Sequence, residues 1–374
     1  MKIAVNTRLL LPNKLDGIGW FTYQTLKRIT QSHPEHQFIF LFDRPYSKEF
    51  VFGDNVIPVI VHPPTRHPLL WYIWFEWMLP RVIKRFEPDI FLSPDGFIPL
   101  SIKIPVISVI HDINFQHRPM DLPWSSRWYY RYFFPKFVKK ASRIITVSEY
   151  SKCDIADSYK CNPAKIDVVY NGSHEKYVPL SEDQKLAFRA RYSSGEEYFI
   201  FIGSLHPRKN VDGLLKSFDI FKRQTSSKFK LLIVGEKFFL NNNLEKTYQQ
   251  MTYKDDVVFI GRKEPDELAG ILGAAWALAF VPHFEGFGIP LLEAMNCDIP
   301  SVASNVTSIP EVAGNTAIYA DPSNTISIAN ALSLMANDTA LRNQLIANCR
   351  SQRQNFSWDK TAEKLWQAIV KTSK

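Results

Sequence analysis

The chain predicts an α/β fold made of two doubly wound, parallel-sheet domains in succession. Three observations predict it. Short β-rich runs alternate with helical patterns along all 374 residues. The run at 276–281 is apolar throughout, as a strand covered on both faces is. The alternation comes in two series, and the chain is long enough for two domains, each with a sizeable core.

The first series places strands at 2–7, 37–42, 56–61, 89–93, 105–110, 143–147 and 166–170, with helices at 19–29, 69–86, 125–140 and 149–159. The second places strands at 198–202, 230–234, 257–260, 276–281, 300–303 and 317–319, with helices between them. Tyr170-Asn171-Gly172 closes the first series with a turn signal. Residues 177–180 read as a linker, and Ser181-Glu182-Asp183 reads as a helix start. The expected domains are therefore 1–174 and 181–356, with 171–180 as the hinge. A last helix occupies 357–374, and its Trp358, Ala362, Leu365, Trp366 and Ile369 share one face. No low-complexity segment or short-period repeat occurs.

Composition narrows the function classes. The formal net charge of +8 suits anionic substrates or an anionic membrane surface. It is spread too evenly for nucleic acid, and no nucleic-acid motif appears. Cys153, Cys161, Cys297 and Cys349 are scattered with no Cys-x-x-Cys pair, which points to reduced, structural thiols and a cytoplasmic setting. The apolar run at the N-terminus breaks too early for a signal peptide. Residues 69–79 are interrupted by Glu76 and are about half a membrane span. No Asp-x-Asp metal motif stands out, so neither a metal nor a cofactor is expected.

Four stretches carry chemistry. Pro282-His283-Phe284-Glu285-Gly286-Phe287-Gly288-Ile289-Pro290-Leu291-Leu292-Glu293 reads as strand end, glycine loop and helix start, with Pro290 in the first turn. Loop N–H groups and the helix dipole suit an anionic or hydroxyl-rich ligand, and two carboxylates can accept hydrogen bonds from sugar hydroxyls. Gly203-Ser204-Leu205-His206-Pro207-Arg208-Lys209-Asn210 puts two cations at the carboxyl end of a strand, where a diphosphate can be gripped, and Asn210 can cap the helix that follows. Asp16-Gly17-Ile18-Gly19-Trp20 can bring backbone N–H groups near phosphate. It lacks the third glycine of a dinucleotide fingerprint, since Thr22 stands there. Val109-Ile110-His111-Asp112 ends a strand, with Asp112 set either to orient His111 or to cap the next segment.

In this order, the Glu285-x7-Glu293 string and the Arg208-Lys209-Asn210 string resemble glycosyltransferase family 4, the glycosyl transferases group 1, whose members are retaining enzymes of GT-B architecture. Thr146-Val147-Ser148, Phe259-Ile260-Gly261-Arg262 and Ser308-Ile309-Pro310-Glu311 extend the resemblance over most of the chain. It implies two Rossmann-like domains facing across a cleft, with the last helix crossing back to the first domain. It implies a hexose, of mannose or glucose type, moved from a nucleotide-diphosphate sugar to a glycan or lipid-linked glycan. His111, Glu285, Arg208 and Lys209 would be the catalytic group. Gly17, Gly19, Arg208, Lys209, Arg262, Glu285, Gly286, Phe287, Gly288 and Glu293 would hold the donor, with no metal. The leaving phosphate would itself take the acceptor proton. His111-Asp112-Ile113-Asn114-Phe115 resembles mannosyltransferases of bacterial surface polysaccharide synthesis. A GT-B epimerase or phosphorylase, a non-catalytic carbohydrate binder and a dinucleotide oxidoreductase are the rival readings.

Two aromatic stretches leave alternatives open. Residues 125–136 read as an interfacial helix meeting an anionic membrane at its cytoplasmic face, or as a helix packing its rings inward around Pro135. Residues 71–77 read as core or as the lining of an acceptor or lipid groove.

Overall fold

A computed structural model describes residues 1–12, 14–235 and 242–373. The chain divides into two compact units, Met1–Asn171 together with Ser357 onward, and Gly172–Phe356.

In the first unit, seven parallel strands among the described residues form one sheet. They are β1 (Lys2–Asn6), β2 (Gln37–Phe42), β3 (Val56–Ile60), β4 (Ile90–Ser93), β5 (Val106–Val109), β6 (Arg143–Thr146) and β7 (Ile166–Val168), in the order β3-β2-β1-β4-β5-β6-β7. In the second unit, six more form another: β8 (Tyr198–Ile202), β9 (Lys230–Val234), β10 (Val257–Gly261), β11 (Ala277–Phe280), β12 (Ser301–Ser304) and β13 (Ala317–Ala320). Their order is β10-β9-β8-β11-β12-β13. Each sequence-predicted strand is present, with ends shifted by two residues at most. Strands β4, β5, β8, β11 and β12 are buried along their whole length, so continuous apolar runs were a sound guide.

Three local expectations are corrected. The stretch 69–86 is not one α-helix: it runs Pro68–Ile73, a π-helical segment Trp74–Met78, and Leu79–Phe86. Pro80 has no N–H to donate, and its ring crowds the carbonyl four residues back, so the backbone widens before it. Residues 177–180 are not a loose linker. Tyr177 is buried in the second unit, Ser173 bonds Asn296, and a Cβ on Gly273 would come within 2.9 Å of Leu180 Cγ. Asn210 stands at the N-cap position of the helix Val211–Thr225 but makes no cap bond. Its amide instead donates to Val281 O at 3.0 Å and Pro322 O at 2.8 Å.

The helix Trp124–Lys140 packs part of its rings inward, as one of the two sequence readings expected. Tyr129, Phe133, Phe134 and Phe137 are buried, while Trp124, Trp128 and Tyr132 are exposed.

The last helix, Trp358–Ser373, belongs to the first unit and packs on Gly17–Ser32. Trp358, Ala362, Leu365 and Ile369 are buried, and Trp366 stacks on His33 at 3.9 Å. Thr361 Oγ1 donates to Tyr170 O at 2.6 Å, which ties the helix to the chain just beyond β7. Because Leu365 is fully buried, Leu365→Ala should destabilise the first unit by about 3 kcal/mol through lost burial and a residual cavity. Urea denaturation followed by a probe in that unit measures it, and an unchanged midpoint would mean that the helix contributes no core.

Candidate functional site

In the second sheet the direction of strand addition reverses between β8 and β11, which are neighbours in space but not in sequence. Loops leaving the carboxyl ends of two such strands part company, and open α/β sheets bind ligands there. The two strongest sequence motifs leave these two strands.

After β8 the chain makes a short turn, Pro207–Lys209, begun by His206, whose Nδ1 accepts the Arg208 N–H at 3.3 Å. After β11, His283 N donates to Arg208 O at 2.8 Å, so the two loops are joined through backbone. Their side chains then converge. Glu285 Oε2 accepts from Arg208 Nη1 at 2.7 Å and from Lys209 Nζ at 2.5 Å. Arg208 Nη1 also reaches Phe284 O at 3.2 Å. Lys209 is only 8% exposed, with its ammonium 5.2 Å from the centre of the Phe280 ring. Burial alone would raise the Glu285 carboxyl; the Arg208 and Lys209 charges outweigh it and hold the group below the usual carboxylate range. Two cations and one anion leave a net positive charge at a largely buried point, which favours an anionic ligand.

The loop then enters the helix Ile289–Asn296 through Gly288, whose φ of +100° suits glycine; a Cβ there would also press on Ile309 and Leu291 at 3.1 Å. Gly286 and Phe287 are buried, and the Phe287 ring meets Phe356 edge-on at 5.7 Å. Glu293 lies on the next turn of that helix, half-buried, and accepts a hydrogen bond from the Tyr177 hydroxyl. Desolvation pushes its carboxyl up to about 7, with Tyr177 opposing the shift. The two carboxylates of the motif are thus displaced in opposite directions. Arg262 follows the edge strand β10, whose register slips at Phe259/Gly261.

In the first unit Gly17 and Gly19 lie in the first turn of Gly17–Ser32. The Gly19 N–H is taken by Asp16 Oδ1 at 2.9 Å, so it caps the helix rather than standing ready for phosphate. His111 follows β5, and its Nε2 is 2.8 Å from Pro94 O. A carbonyl only accepts, so that nitrogen carries the proton. Burial lowers the imidazole pKa, leaving a neutral ring whose Nδ1 is an acceptor. Asp112 does not orient His111: it caps the next segment, taking Asn114 N at 2.9 Å.

Sequence reasoning missed several residues. At the reversal point of the first sheet, between β1 and β4, Asn6 and Arg8 bind Asp95. Asn6 Nδ2 lies 2.9 Å from Asp95 Oδ1, and Arg8 Nε 2.5 Å from Asp95 Oδ2. The Arg8 guanidinium lies 4.5 Å from the Phe97 ring centre. The place of these residues just after two central strands was the available signal. Ser308 Oγ donates to Glu285 O at 2.9 Å. Its neighbour Thr307 is a β-branched residue at φ +59°, with a buried Oγ1 that has no hydrogen-bond partner. Nothing in the sequence marks that strain.

Comparison with known proteins gives the family and the fold. A family profile for glycosyl transferases group 1 matches residues 183–352, and one for glycosyltransferase family 4 matches residues 15–175. The O-antigen chain mannosyltransferase RfbU of Salmonella typhimurium is 30% identical over 284 residues, 74% of each chain. The O-antigen chain mannosyltransferase B of Escherichia coli is 26% identical over 278 residues, 74% of this chain and 73% of its own. Among solved structures, HepE of Anabaena, in complex with UDP and glucose, superposes with a TM-score of 0.76 at 17% identity, covering 99% of this chain and 100% of its own. WaaG, a glycosyltransferase involved in lipopolysaccharide biosynthesis, gives 0.74 at 14% identity, covering 97% and 98%. The chain has the GT-B fold and belongs to glycosyltransferase family 4, the glycosyl transferases group 1.

Proposed function

We propose that this glycosyltransferase moves a hexose from a nucleotide-diphosphate sugar to a hydroxyl of a glycan or lipid-linked glycan, with retention at the anomeric carbon, in bacterial surface polysaccharide or lipopolysaccharide assembly. The observation that carries the reading is the Arg208–Glu285–Lys209 cluster at the reversal point of the second sheet. The names of the two relatives favour mannose as the sugar.

The difficult event is loss of an anionic diphosphate from a sugar that becomes cation-like. The bond from the anomeric carbon to the diphosphate oxygen breaks, and the acceptor oxygen bonds to that carbon on the same face. The acceptor proton passes to the leaving phosphate. Arg208 and Lys209 stabilise the charge that grows on that phosphate. As they turn to it, Glu285 is released from part of its pairing and accepts from sugar hydroxyls beside the developing positive charge. Positive charge comes from side chains, so the reaction runs without a metal.

Arg208→Ala or Lys209→Ala should each slow turnover on the order of a hundredfold with the fold intact by circular dichroism, because each removes a preorganised donor worth roughly 3 kcal/mol in the transition state. The assay should run unchanged in excess chelator. Undiminished turnover in either variant would take that residue out of the mechanism, and chelator inhibition reversed by Mg²⁺ would overturn metal independence.

Donor identity is read by thermal shift against GDP-, UDP- and ADP-sugars. A true donor at 100 times its Kd stabilises the protein by about 2.7 kcal/mol, and GDP-mannose is the expected hit. No stabilisation by any nucleotide sugar would remove the donor site.

Glu293 must be ionised to accept hydrogen bonds from both ribose hydroxyls. Its folded pKa of about 7 lies above the ordinary carboxyl value near 4.3 of the unfolded chain. The folded state therefore holds the extra proton, and this contribution to stability is full below roughly pH 4.3 and is lost as pH rises through 7. Nucleotide affinity should move the opposite way, rising with pH as the carboxylate forms. Glu293→Gln should flatten both trends, as calorimetry and denaturation between pH 5 and 8 would show. Identical pH profiles in the two proteins would rule out Glu293 as the titrating group.

A further inference from the structure

The loop between β12 and the helix Ile309–Ala313 breaks three local preferences in two adjacent residues. Thr307, a β-branched residue, sits at φ +59°, in the left-handed region that its Cβ disfavours. Its Oγ1 is buried without a hydrogen-bond partner among the described residues. Ser308 occupies the N-cap position of Ile309–Ala313, where a serine hydroxyl ordinarily accepts from the first helical N–H groups, yet it makes no cap bond. Such departures persist only where the surrounding structure holds them, and they gather at functional sites.

The same loop holds the Glu285 motif at both ends. The Ser308 hydroxyl is fully buried and donates to Glu285 O at 2.9 Å. Ile309, also fully buried, lies against Gly288, where an added Cβ would come within 3.1 Å of its Cδ1. Glu285 and Gly288 are thus held from one short segment of backbone. That segment is itself anchored. Ser308 O accepts Val312 N at 3.1 Å, and Asn305 N donates to Ala320 O at 3.0 Å, at the end of β13.

The serine bond falls on the backbone of Glu285 and leaves its carboxylate to other partners. Glu285 Oε2 stays on Arg208 and Lys209, at 2.7 and 2.5 Å. The side-chain torsions beyond the held carbonyl remain free to turn. On a loose backbone, the pull of two cations would drag the whole loop with the carboxylate. On a fixed one, the carboxylate swings through a set arc when an arriving diphosphate takes the cations, and reaches one place.

We propose that Ser308 is a positioning residue for Glu285. Its hydrogen bond to the Glu285 carbonyl, aimed by the strained Thr307 joint, fixes the backbone about which the carboxylate turns from Arg208 and Lys209 to the hydroxyls of the donor sugar. The proposal rests on the donor-site reading given above and adds the residue that sets where the sugar-binding carboxylate can reach. Ser308 itself touches no substrate; it acts through Glu285.

The test is calorimetric binding of GDP-mannose and of GDP to the full chain, with UDP-glucose and UDP as the second pair. Ser308→Ala should weaken the nucleotide sugar about tenfold, the scale of one lost hydrogen bond. It should leave the nucleoside diphosphate within about twofold, because Arg208 and Lys209 still grip it. Ser308→Cys, with a weaker donor in the same place, should lie between the parent and Ser308→Ala. In a Glu285→Ala background, Ser308→Ala should shift affinity for the nucleotide sugar by less than about twofold, since a residue that acts only through Glu285 has nothing left to act on. Thermal midpoints check the folding of each variant, and the cysteine series stands without the double variant. A merely structural role would weaken both ligands alike and would persist without Glu285; either result overturns the proposal. So does a Ser308→Ala variant that binds both ligands as the parent does. A parent that binds none of the four ligands removes the donor site itself, whereas a binding parent with an unaffected Ser308→Ala variant removes only the positioning role.

Discussion

Two cations sharing one carboxylate oxygen is the constraint around which the second unit is arranged. Arg208 and Lys209 leave β8, Glu285 leaves β11, and no direct chain connection joins those strands. Lys209 is almost wholly withdrawn from water, which is costly for an ammonium without a counter-charge. Glu285 supplies that charge, and the Glu285 loop is pinned by Ser308 Oγ on its own carbonyl and by the His283–Arg208 backbone bond. Asn210 adds a further tie by bridging Val281 and Pro322. The loops are therefore held by charge and polar bonds rather than by apolar packing. A diphosphate can compete for such bonds, whereas it could not compete for a packed core.

The same motif holds a second carboxylate in a contrasting state. Glu285 and Glu293 are eight residues apart, yet one is pulled down by flanking cations and the other raised by desolvation. A group kept ionised among cations can change partners when an anion arrives. A group poised near neutrality, with a tyrosine hydroxyl as its partner, responds to a hydrogen-bond donor by ionising. Under the proposed function, these two environments would serve the sugar end and the nucleoside end of one ligand.

Most of the strand framework was legible because buried parallel strands leave unbroken apolar runs, and the sheet reversal placed the motifs without further assumption. The Arg208, Lys209 and Glu285 positions were legible from their loops, although their mutual pairing was not. What escaped is physical in kind. Tyr177 looked like linker because its partner, Glu293, is more than a hundred residues away. Asn210 looked like a cap because a cap is a local motif, whereas the carbonyls it serves lie just after β11 and in the turn after β13. The π-helical segment before Pro80 depends on how the backbone absorbs a missing N–H, and Thr307 depends on a backbone angle that no side chain announces.

The aromatic helix shows why composition alone left two readings standing. Its rings are enough for both faces, and only the phase of the helix sorts them. Tyr129, Phe133 and Phe137 recur at four-residue spacing and go inward; Trp124, Trp128 and Tyr132 recur at the same spacing, one step out of phase, and stay outside. Inward rings are accounted for by the core of the first unit. The outward ladder adds nothing to that core, and exposing two indoles to water is unfavourable in proportion to their apolar area.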